Sequence, residues 1–455
     1  MSTQASTSSA KAAILQKHDN DVVIVCAVRS AITKVRFSST SSTPPANTPQ
    51  GRKGGFKDTK PELILSHVLR AAYSKISLDP KLIEDISVGN VLPPGGGASA
   101  ARMAALHAGI PVETSINTIN RQCSSGLTAV NQIANQIRAG QIDIGIGEYP
   151  LSSLPVSLIY LTFLSLGAGV ESMTHGFGSR AAPEVSDEVL SNQDAEDCLL
   201  PMGITSENVA ADYHIPRSYQ DAFSAKSFQK AAAANKAGKF KDEIVPILAK
   251  WIDPKTEEVK EVLVNEDDGI RDGVTAESLA KIKPAFKKDG VTHAGTFPLQ
   301  PVYPHIFFTF FLGLGNASQV SDGAAAVVLA RRSTANRLNL PILGKFVTAA
   351  TIGVPPRIMG VGPAYAIPRV LHLTGLALDD IDFFEINEAF ASQALFSIDH
   401  LKIPHEKVNL NGGAIAIGHP LGCSAYPFFL FFVSRVLMVD FFFSISWCEA
   451  GCDGT

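Results

Sequence analysis

The chain carries an internal repeat, and this repeat constrains the fold more than any other feature of the sequence. Residues 378–390 (LDDIDFFEINEAF) echo residues 78–91 (LDPKLIEDISVGNV), and residues 406–420 (EKVNLNGGAIAIGHP) echo residues 113–126 (ETSINTINRQCSSG). Each copy combines short strand-like runs with stretches of helical spacing. Along the chain, helical spacing predicts helices over 61–76 and 364–375 and a charged helix near 218–242, and apolar runs predict strands at QIDIGIG (141–147) and LPILGKFVTAATIG (340–353). A weak duplication of strand–helix units predicts two similar α/β lobes.

Length and composition narrow the class of protein further. A chain of 455 residues is too long for one small core, so two or three domains are expected. Hydrophobic residues make up 45% and charged residues only 18%, which is typical of a folded α/β enzyme. A net charge of −4 provides no basic field for nucleic acid. Six cysteines without paired spacing in the early chain indicate a reducing compartment.

Cys123 lies at a predicted turn between a strand and a helix. The preceding stretch 115–120 (SINTIN) is extended and β-branched. The helix that follows has one apolar face, formed by Leu127, Val130, Ala134 and Ile137. Free N–H groups and the positive dipole end at a helix start stabilise a thiolate, so Cys123 is predicted to be an activated nucleophile. The alternative is an ordinary buried core cysteine.

The last third of the chain offers a base and an oxyanion site for such a nucleophile. His419 follows a glycine-rich run, predicted to be extended, where the backbone can approach a ligand closely. Asn387 and Glu388 follow the strand-like run IDFFEI. The alternative for His419 is a histidine that caps a loop. The repeat places Cys123 and His419 at equivalent corners of the two lobes and predicts that they meet.

Three motifs in this order resemble those of the thiolases, in particular the degradative 3-ketoacyl-CoA thiolases. They are NRQCSSGLTAV, NEAFASQA and GGAIAIGHPLGC, and the resemblance runs from about residue 21 to about residue 424. It implies two βαβαβαββ lobes in a five-layer αβαβα arrangement with a loop domain, usually as a homodimer. Ketoacyl synthases of the same superfamily are discounted, because they carry an HGTGT-like run where this chain has NEAF.

The resemblance implies a domain division. We expect a disordered segment over 1–20, and an N-terminal lobe over 21–170 that ends with 316–340. A loop domain that binds coenzyme A would span 171–295, and the C-terminal lobe 341–424. The glycine-rich run PPGGGASAARMAALHAGI could be taken for a phosphate cradle. It lacks the P-loop lysine and the dinucleotide-fold spacing, so we predict a structural loop.

The resemblance also assigns roles to residues. Cys123 would attack the 3-keto carbon of a 3-ketoacyl-CoA with His419 as its base. Acetyl-CoA would leave as an enolate, whose oxyanion His419 and a water held by Asn387 would stabilise. Residues implied to contact the acyl-CoA or CoA substrate are Met202, Arg271, Ser318 and Phe390. On its own, Arg271 reads as a solvated surface arginine. The implied chemistry needs no metal and no cofactor, because coenzyme A is a substrate.

Several segments depart from the family pattern. Residues 35–52, 148–166 and 296–315 interrupt it, and the tail 425–455 is unlike it. We interpret all of them as translated non-coding sequence, which the sequence of the mature transcript would test. Prolines in the inserts, and Arg435 and Asp440 in the tail, make membrane spans a poor account of these apolar stretches.

The tail also departs from the family chemically. Thiolases carry a second catalytic cysteine in a C-x-G-x-G run, and neither Cys448 nor Cys452 has that context, while the family position of Cys423 is structural. A thiolase-like CoA-binding protein without turnover is therefore the alternative function. Lys11 and His18 have the separation of a peroxisomal address but poor flanking residues. We expect a peroxisomal location, with mitochondrial or cytoplasmic as alternatives.

Overall fold

The computed structural model describes most of the chain. The described ranges are 10–34, 54–142, 164–176, 185–253, 256–293, 296–298, 309–311 and 315–423. The departing segment 35–52, residues 148–163 of the second insert and the tail 425–455 lie outside these ranges. Residues 143–147 of the predicted strand QIDIGIG also lie outside them.

The strands and helices follow one another from the N-terminus to residue 423. The strands are β1 (Val22–Ser30), β2 (Thr33–Lys34), β3 (Ile83–Gly89), β4 (Ser115–Ile119), β5 (Leu164–Ser172), β6 (Ile244–Val245), β7 (Ile247–Ile252), β8 (Val259–Val264), β9 (Thr296–Pro298), β10 (Thr309–Phe311), β11 (Ser321–Arg331) and β12 (Gly344–Lys345). The helices are α1 (Pro61–Ser74), α2 (Ala98–His107), α3 (Ser125–Arg138), α4 (Met173–Gly176), α5 (Asp187–Leu190), α6 (Gln193–Asp197), α7 (Met202–Asp212), α8 (Arg217–Lys236), α9 (Ala276–Ala280), α10 (Arg332–Arg337), α11 (Gly362–Thr374), α12 (Ala391–Leu401) and α13 (Ala414–Ile417).

A mixed eight-stranded sheet forms the front lobe. Its order is β12–β1–β11–β5–β3–β4, with β2 paired to β11 and β6 paired to β1. Strands β1, β11 and β5 are antiparallel neighbours, whereas β5, β3 and β4 are parallel. Helix α2 is the crossover between β3 and β4. The carboxyl ends of the parallel strands β3 and β4 therefore lie at the same end of the sheet, and the turn that contains Cys123 follows β4 at that end.

Helices cover both faces of this sheet. Val23 and Val25 belong to the apolar cluster that contains α1, whereas Val22 and Ile24 belong to the cluster that contains α3. A strand buried on both faces reads as a continuous apolar run, which explains the sequence VVIVCAV. The predicted helix over 61–76 and the predicted apolar face of α3 are both present.

The rear lobe differs most from the sequence prediction. The predicted opening strand over 340–353 is a strand only at β12, where it joins the edge of the front sheet beside β1. The stretches around Phe384 and Val408 form one isolated parallel bridge instead of a ladder. An apolar pattern predicts a strand, but a ladder also needs neighbours on consecutive residues. Within the described part of this lobe the apolar segments pack instead against α11 and α12.

The middle region contains the hairpin β7–β8 and the long helix α8, which matches the charged helix predicted near 218–242. The predicted insert 296–315 contributes a separate two-stranded sheet of β9 and β10. The end of the other insert, from Leu164 to Leu166, is part of β5, because its backbone continues the ladders to β3 and β11. No helix in the described ranges has the length and apolarity to cross a bilayer.

Disorder was expected over 1–20, and of this segment the structure describes residues 10–20, which are ordered. Residues 10–15 are helical, and Ile14 packs against the apolar cluster of the rear lobe. Lys11 Nζ donates to the carbonyl of Asp380 at 3.0 Å, and Lys345 Nζ donates to the carbonyl of Ile14 at 3.2 Å. The polar Ser/Ala composition gave no sign of this docking, because the docking depends on contacts with residues more than 300 positions away, such as Lys345 and Asp380.

Candidate active site

The Cys123 turn has the predicted position between a strand and a helix. Gln122 adopts a left-handed backbone conformation with φ of 46°, which reverses the chain sharply after β4. Ser125 Oγ accepts from Arg121 N at 2.9 Å and donates to Gln122 O at 2.6 Å, closing the turn. A Cβ on Gly89 would lie 2.4 Å from the Ser125 carbonyl carbon, so α3 begins directly against the end of β3.

The protonation of Cys123 is opposite to the sequence prediction. The residue is 4% exposed, and burial raises the pKa of its thiol to about 12, with the charge of Glu171 adding to the increase. The rise from the ordinary value corresponds to about 4 kcal/mol, and a helix terminus contributes at most about 2 kcal/mol in the other direction. Desolvation therefore outweighs the helix dipole, and the resting sulfur is a neutral thiol.

His419 is buried, and burial lowers the pKa of its imidazole to about 4, so the ring is neutral. Asn387 Nδ2 donates to His419 Nε2 at 3.4 Å. The backbone N–H of His419 donates to Gln319 O at 3.2 Å and to Ser321 Oγ at 3.3 Å. The run before His419 was predicted to be extended, which is wrong for Ala414–Ile417: these residues form the short helix α13.

The segments that carry Cys123 and His419 meet at the start of α3. The turn Leu421–Cys423, directly after His419, packs against α3. Cys423 shares an apolar cluster with Leu127 in the first turn of α3. Burial raises the pKa of the Cys423 thiol well above its usual range, in keeping with a packing role. The fold thus brings together the two chain segments that carry Cys123 and His419.

Asn387 presents an unused acceptor beside the imidazole. The residue is 1% exposed, and its side-chain Oδ1 has no hydrogen-bond partner. Buried amide oxygens normally accept a hydrogen bond, so this oxygen is available to a donor such as a water or a substrate group. Its backbone carbonyl accepts from Gln393 Nε2 at 2.8 Å, which fixes the residue. This arrangement fits the expected water held by Asn387.

Glu388 has a structural function that the sequence reasoning did not assign. Its buried carboxyl accepts from Ser227 Oγ at 2.6 Å, from Asn409 Nδ2 at 2.7 Å and from Ile415 N at 3.2 Å. A Cβ on Gly413 would lie 2.3 Å from the carboxyl carbon, so only glycine fits there. Glu388 therefore clamps the glycine-rich run that leads to His419. Its position in NEAF was the available signal.

Two of the residues expected to contact the acyl-CoA lie in one aromatic neighbourhood. Met202 is 37% exposed at the start of α7. The next residue, Gly203, lies so close to Phe286 that a Cβ would overlap its ring. The Phe286 ring in turn contacts Phe390 edge to face, with centroids 6.5 Å apart. The Phe286 ring thus contacts Phe390 and lies against the residue that follows Met202.

The other two expected contacts, Ser318 and Arg271, lie close in sequence to residues that bond to Gln319 or adjoin it, and the Gln319 carbonyl accepts from His419 N. Ser318 N donates to Ala389 O at 2.8 Å, which attaches the segment before β11 to the NEAF motif. The adjacent Gln319 donates from Nε2 to Gly269 O at 3.3 Å, two residues before Arg271. Arg271 is half-buried, and burial lowers its pKa. No group of three His, Cys, Asp or Glu among the described residues is arranged to hold a metal ion.

Known proteins match this chain over most of its length. A family model for the thiolase N-terminal domain matches residues 40–148 and 164–299, and one for the thiolase C-terminal domain matches residues 340–455. The second match extends past residue 424, where the motif resemblance ends. The chain is 51% identical over 412 residues to the peroxisomal 3-ketoacyl-CoA thiolase of Yarrowia lipolytica, which covers 90% of this chain and 86% of the relative.

Solved structures agree. The dimeric peroxisomal thiolase of Saccharomyces cerevisiae matches with a TM-score of 0.73 and 46% identity, over 90% of each chain. A second structure of the 3-ketoacyl-CoA thiolase from that yeast matches with a TM-score of 0.63 and 40% identity, over 90% of this chain and 89% of the other. It is described as a five-layered A-B-A-B-A structure of two core domains of identical topology. The fold is thus the five-layered α/β fold built from two core domains. This chain belongs to the thiolase family.

Proposed function

We propose that the protein is a 3-ketoacyl-CoA thiolase (acetyl-CoA C-acyltransferase) of fatty acid β-oxidation. One observation carries the proposal. A buried neutral imidazole, His419, with Asn387 at its Nε2, directly precedes a turn that packs on the helix beginning next to Cys123. The 51% identity to a peroxisomal 3-ketoacyl-CoA thiolase supports the same activity.

In the first half-reaction the Cys123 sulfur attacks the 3-keto carbon while His419 accepts the thiol proton. Because both groups are neutral at rest, the negative charge is created on the substrate oxygen instead of being stored on sulfur. The donors around His419 and Asn387 would stabilise this oxyanion, an effect of several kcal/mol in a site without bulk water. The C2–C3 bond then breaks, acetyl-CoA leaves as an enolate and takes up the proton that His419 holds, and the shortened acyl group stays on Cys123.

In the second half-reaction coenzyme A takes the acyl group. Its thiol gives its proton to His419 and attacks the thioester on Cys123. The shortened acyl-CoA is released, and the Cys123 sulfur takes the proton back from His419. The net reaction converts a 3-ketoacyl-CoA and CoA into acetyl-CoA and an acyl-CoA. We assign the contacts to the CoA moiety to Met202, Arg271, Ser318 and Phe390, and the chemistry uses no further cofactor.

The assembly and location follow the relatives. The matching yeast structure is dimeric, and the relative from Yarrowia is peroxisomal. We infer a homodimer in the peroxisome. Sedimentation of the purified chain and fluorescence microscopy of a tagged copy test the two inferences. A monomer at micromolar concentration, or a cytosolic signal, contradicts the respective one.

Turnover of acetoacetyl-CoA with CoA by the purified full chain tests the function. We expect loss of the 3-ketoacyl absorbance in the wild type, none with Cys123→Ala, and wild-type behaviour with Cys26→Ala. Cys26 is a matched control because it is equally buried but lies in the core of β1. Binding of CoA without turnover in the wild type would contradict the proposal and favour the non-catalytic alternative.

A further inference from the structure

Glu171, at the end of β5, is a fully buried carboxyl that the mechanism above does not use. Its Oε2 accepts from Val91 N at 3.0 Å and from Gly422 N at 3.2 Å, and its Oε1 accepts from Leu92 N at 3.3 Å. All three partners are backbone N–H groups, which favour a precise placement of the backbone around the carboxyl. Two of them follow β3 in the front lobe, and the third belongs to the turn after His419.

On the front-lobe side, hydrogen bonds connect the loop that Glu171 holds to the turn that carries Cys123. Val91 O accepts from Asn120 Nδ2 at 3.1 Å. Asn120 Oδ1 in turn accepts from Gln122 N at 3.0 Å, one residue before Cys123. The loop held by Glu171 is therefore the same loop that holds the turn of Cys123.

The third hydrogen bond of Glu171 connects it to the segment that carries the proposed base, His419. Gly422 lies three residues after His419, and a Cβ on it would lie 2.7 Å from the Cα of Asn90 and 2.8 Å from Gly89 O. The turn thus touches the end of β3 with no spare space, and Glu171 supplies the hydrogen bond that fixes it there. Because a displacement of about 1 Å in a catalytic pair can cost about 100-fold in rate, such a link matters for acyl transfer.

Building on the proposed thiolase function, we propose that Glu171 is a positioning residue for acyl transfer, which sets the separation of Cys123 and His419 by hydrogen-bonding to both of their segments. The residue touches neither reacting atom. Burial raises the pKa of Glu171 to about 8 against the influence of its three N–H donors. A glutamine at this position is therefore a close substitute at neutral pH.

Three substitutions at Glu171 separate the effect of side-chain length from the effect of the carboxyl group. Glu171→Gln keeps the length, and its oxygen can still bridge Val91 N and Gly422 N. Glu171→Asp keeps the carboxyl group but is one methylene too short, and Glu171→Ala removes all three hydrogen bonds. We expect kcat to fall less than about 5-fold for Gln, at least about 10-fold for Asp and about 100-fold for Ala, with KM nearly unchanged.

Asp85→Ala is the matched control. Asp85 is a buried carboxyl on the neighbouring strand β3, and it accepts from Gln136 at the far end of α3, away from Cys123. We expect this variant to unfold at a lower temperature while keeping the wild-type kcat per folded enzyme. If Glu171→Ala does not fold, the order of the Gln and Asp variants carries the test. An Asp variant as active as Gln, or an Ala variant within 3-fold of wild type, overturns the proposal.

A second readout does not require thiolase turnover. The rate of Cys123 alkylation by iodoacetamide is measured in the wild type, Glu171→Ala, His419→Ala and the double variant. If Glu171 acts through the placement of His419, its substitution changes nothing further once His419 is absent. Additive effects overturn the proposal. Failure of the proposed function is separate, since it appears as absent turnover in the wild type.

Discussion

Glu388→Ala is the substitution for which the structure gives the clearest stability prediction. The carboxyl of Glu388 is 1% exposed and accepts hydrogen bonds from α8, from Asn409 and from the backbone of α13. Alanine removes the acceptor for all of these donors at once. The Ser227 hydroxyl can rotate to another acceptor, but the Asn409 amide and the Ile415 N–H remain buried in fixed positions.

The magnitude follows from the two donors that cannot turn away. A buried donor left without a partner costs about 1–3 kcal/mol, so the free energy of unfolding should fall by about 2–6 kcal/mol. Glu388→Gln should cost about half as much. Its oxygen can still accept from Ser227 and Ile415, whereas its amide nitrogen meets the Asn409 donor.

Urea unfolding followed by circular dichroism measures these differences, with Glu406→Ala as the control. Glu406 is an exposed glutamate in the same lobe, and its loss should change the free energy by less than about 0.5 kcal/mol. The clamp model also predicts a reduced kcat in both Glu388 variants, because α13 leads directly to His419. Equal stability of the wild type and Glu388→Ala would refute the reasoning.

Three further predictions concern buried ionisable side chains. Arg29→Leu leaves Glu243 and Asp267 without their buried partner, so the free energy of unfolding should fall by about 3–5 kcal/mol in urea titrations, and a change below 1 kcal/mol contradicts this. Alkylation of Cys123 should accelerate about tenfold per pH unit between pH 6 and 9, because only the thiolate reacts and the thiol pKa is about 12; a plateau near neutral pH would indicate an ion pair with His419. His419 has a depressed pKa of about 4, so the unfolded chain binds more protons than the folded state between pH 4 and 6.5. Stability should therefore fall by up to about 3 kcal/mol as the pH drops through that window, and this loss should be absent in His419→Gln.

The helices were predictable because burial on one side imposes a helical period. The spacing in 61–76 predicted α1, and the spacing after Cys123 predicted α3 with its buried face. The run 364–375 similarly matches α11, which begins at Gly362 and ends at Thr374. In each case a local pattern reports a local contact with the sheet or with a neighbouring helix, so the sequence alone contains the information.

The roles of Glu171 and Glu388 were not predictable, because they depend on contacts between distant parts of the chain. Glu171 and Gly422 are separated by 251 residues, and Glu171 and Val91 by 80. A local motif identifies an acidic residue but not the N–H groups that surround it. The thiol pKa of Cys123 was misjudged for a related reason: the helix start is visible in the sequence, whereas the depth of burial depends on the whole fold.

The rear lobe shows that apolar spacing alone does not determine whether a segment forms a strand. The runs IDFFEI and KVNLNG have apolar spacing that suits a strand, but their only bridge joins Phe384 and Val408. Whether such a run becomes a ladder depends on its neighbours, which are specified elsewhere in the chain. Both residues are nevertheless buried, since Phe384 and Val408 are 1% and 2% exposed.

The central claim is that His419 activates the Cys123 sulfur for acyl transfer. Rapid quenching after mixing with acetoacetyl-CoA, followed by peptide mass spectrometry, locates the acyl group and times its appearance. The account predicts an acetyl adduct on the Cys123 peptide, which forms at least about 100-fold more slowly in His419→Ala. An adduct on Cys423 or Cys26 instead, or an unchanged rate in His419→Ala, would contradict it.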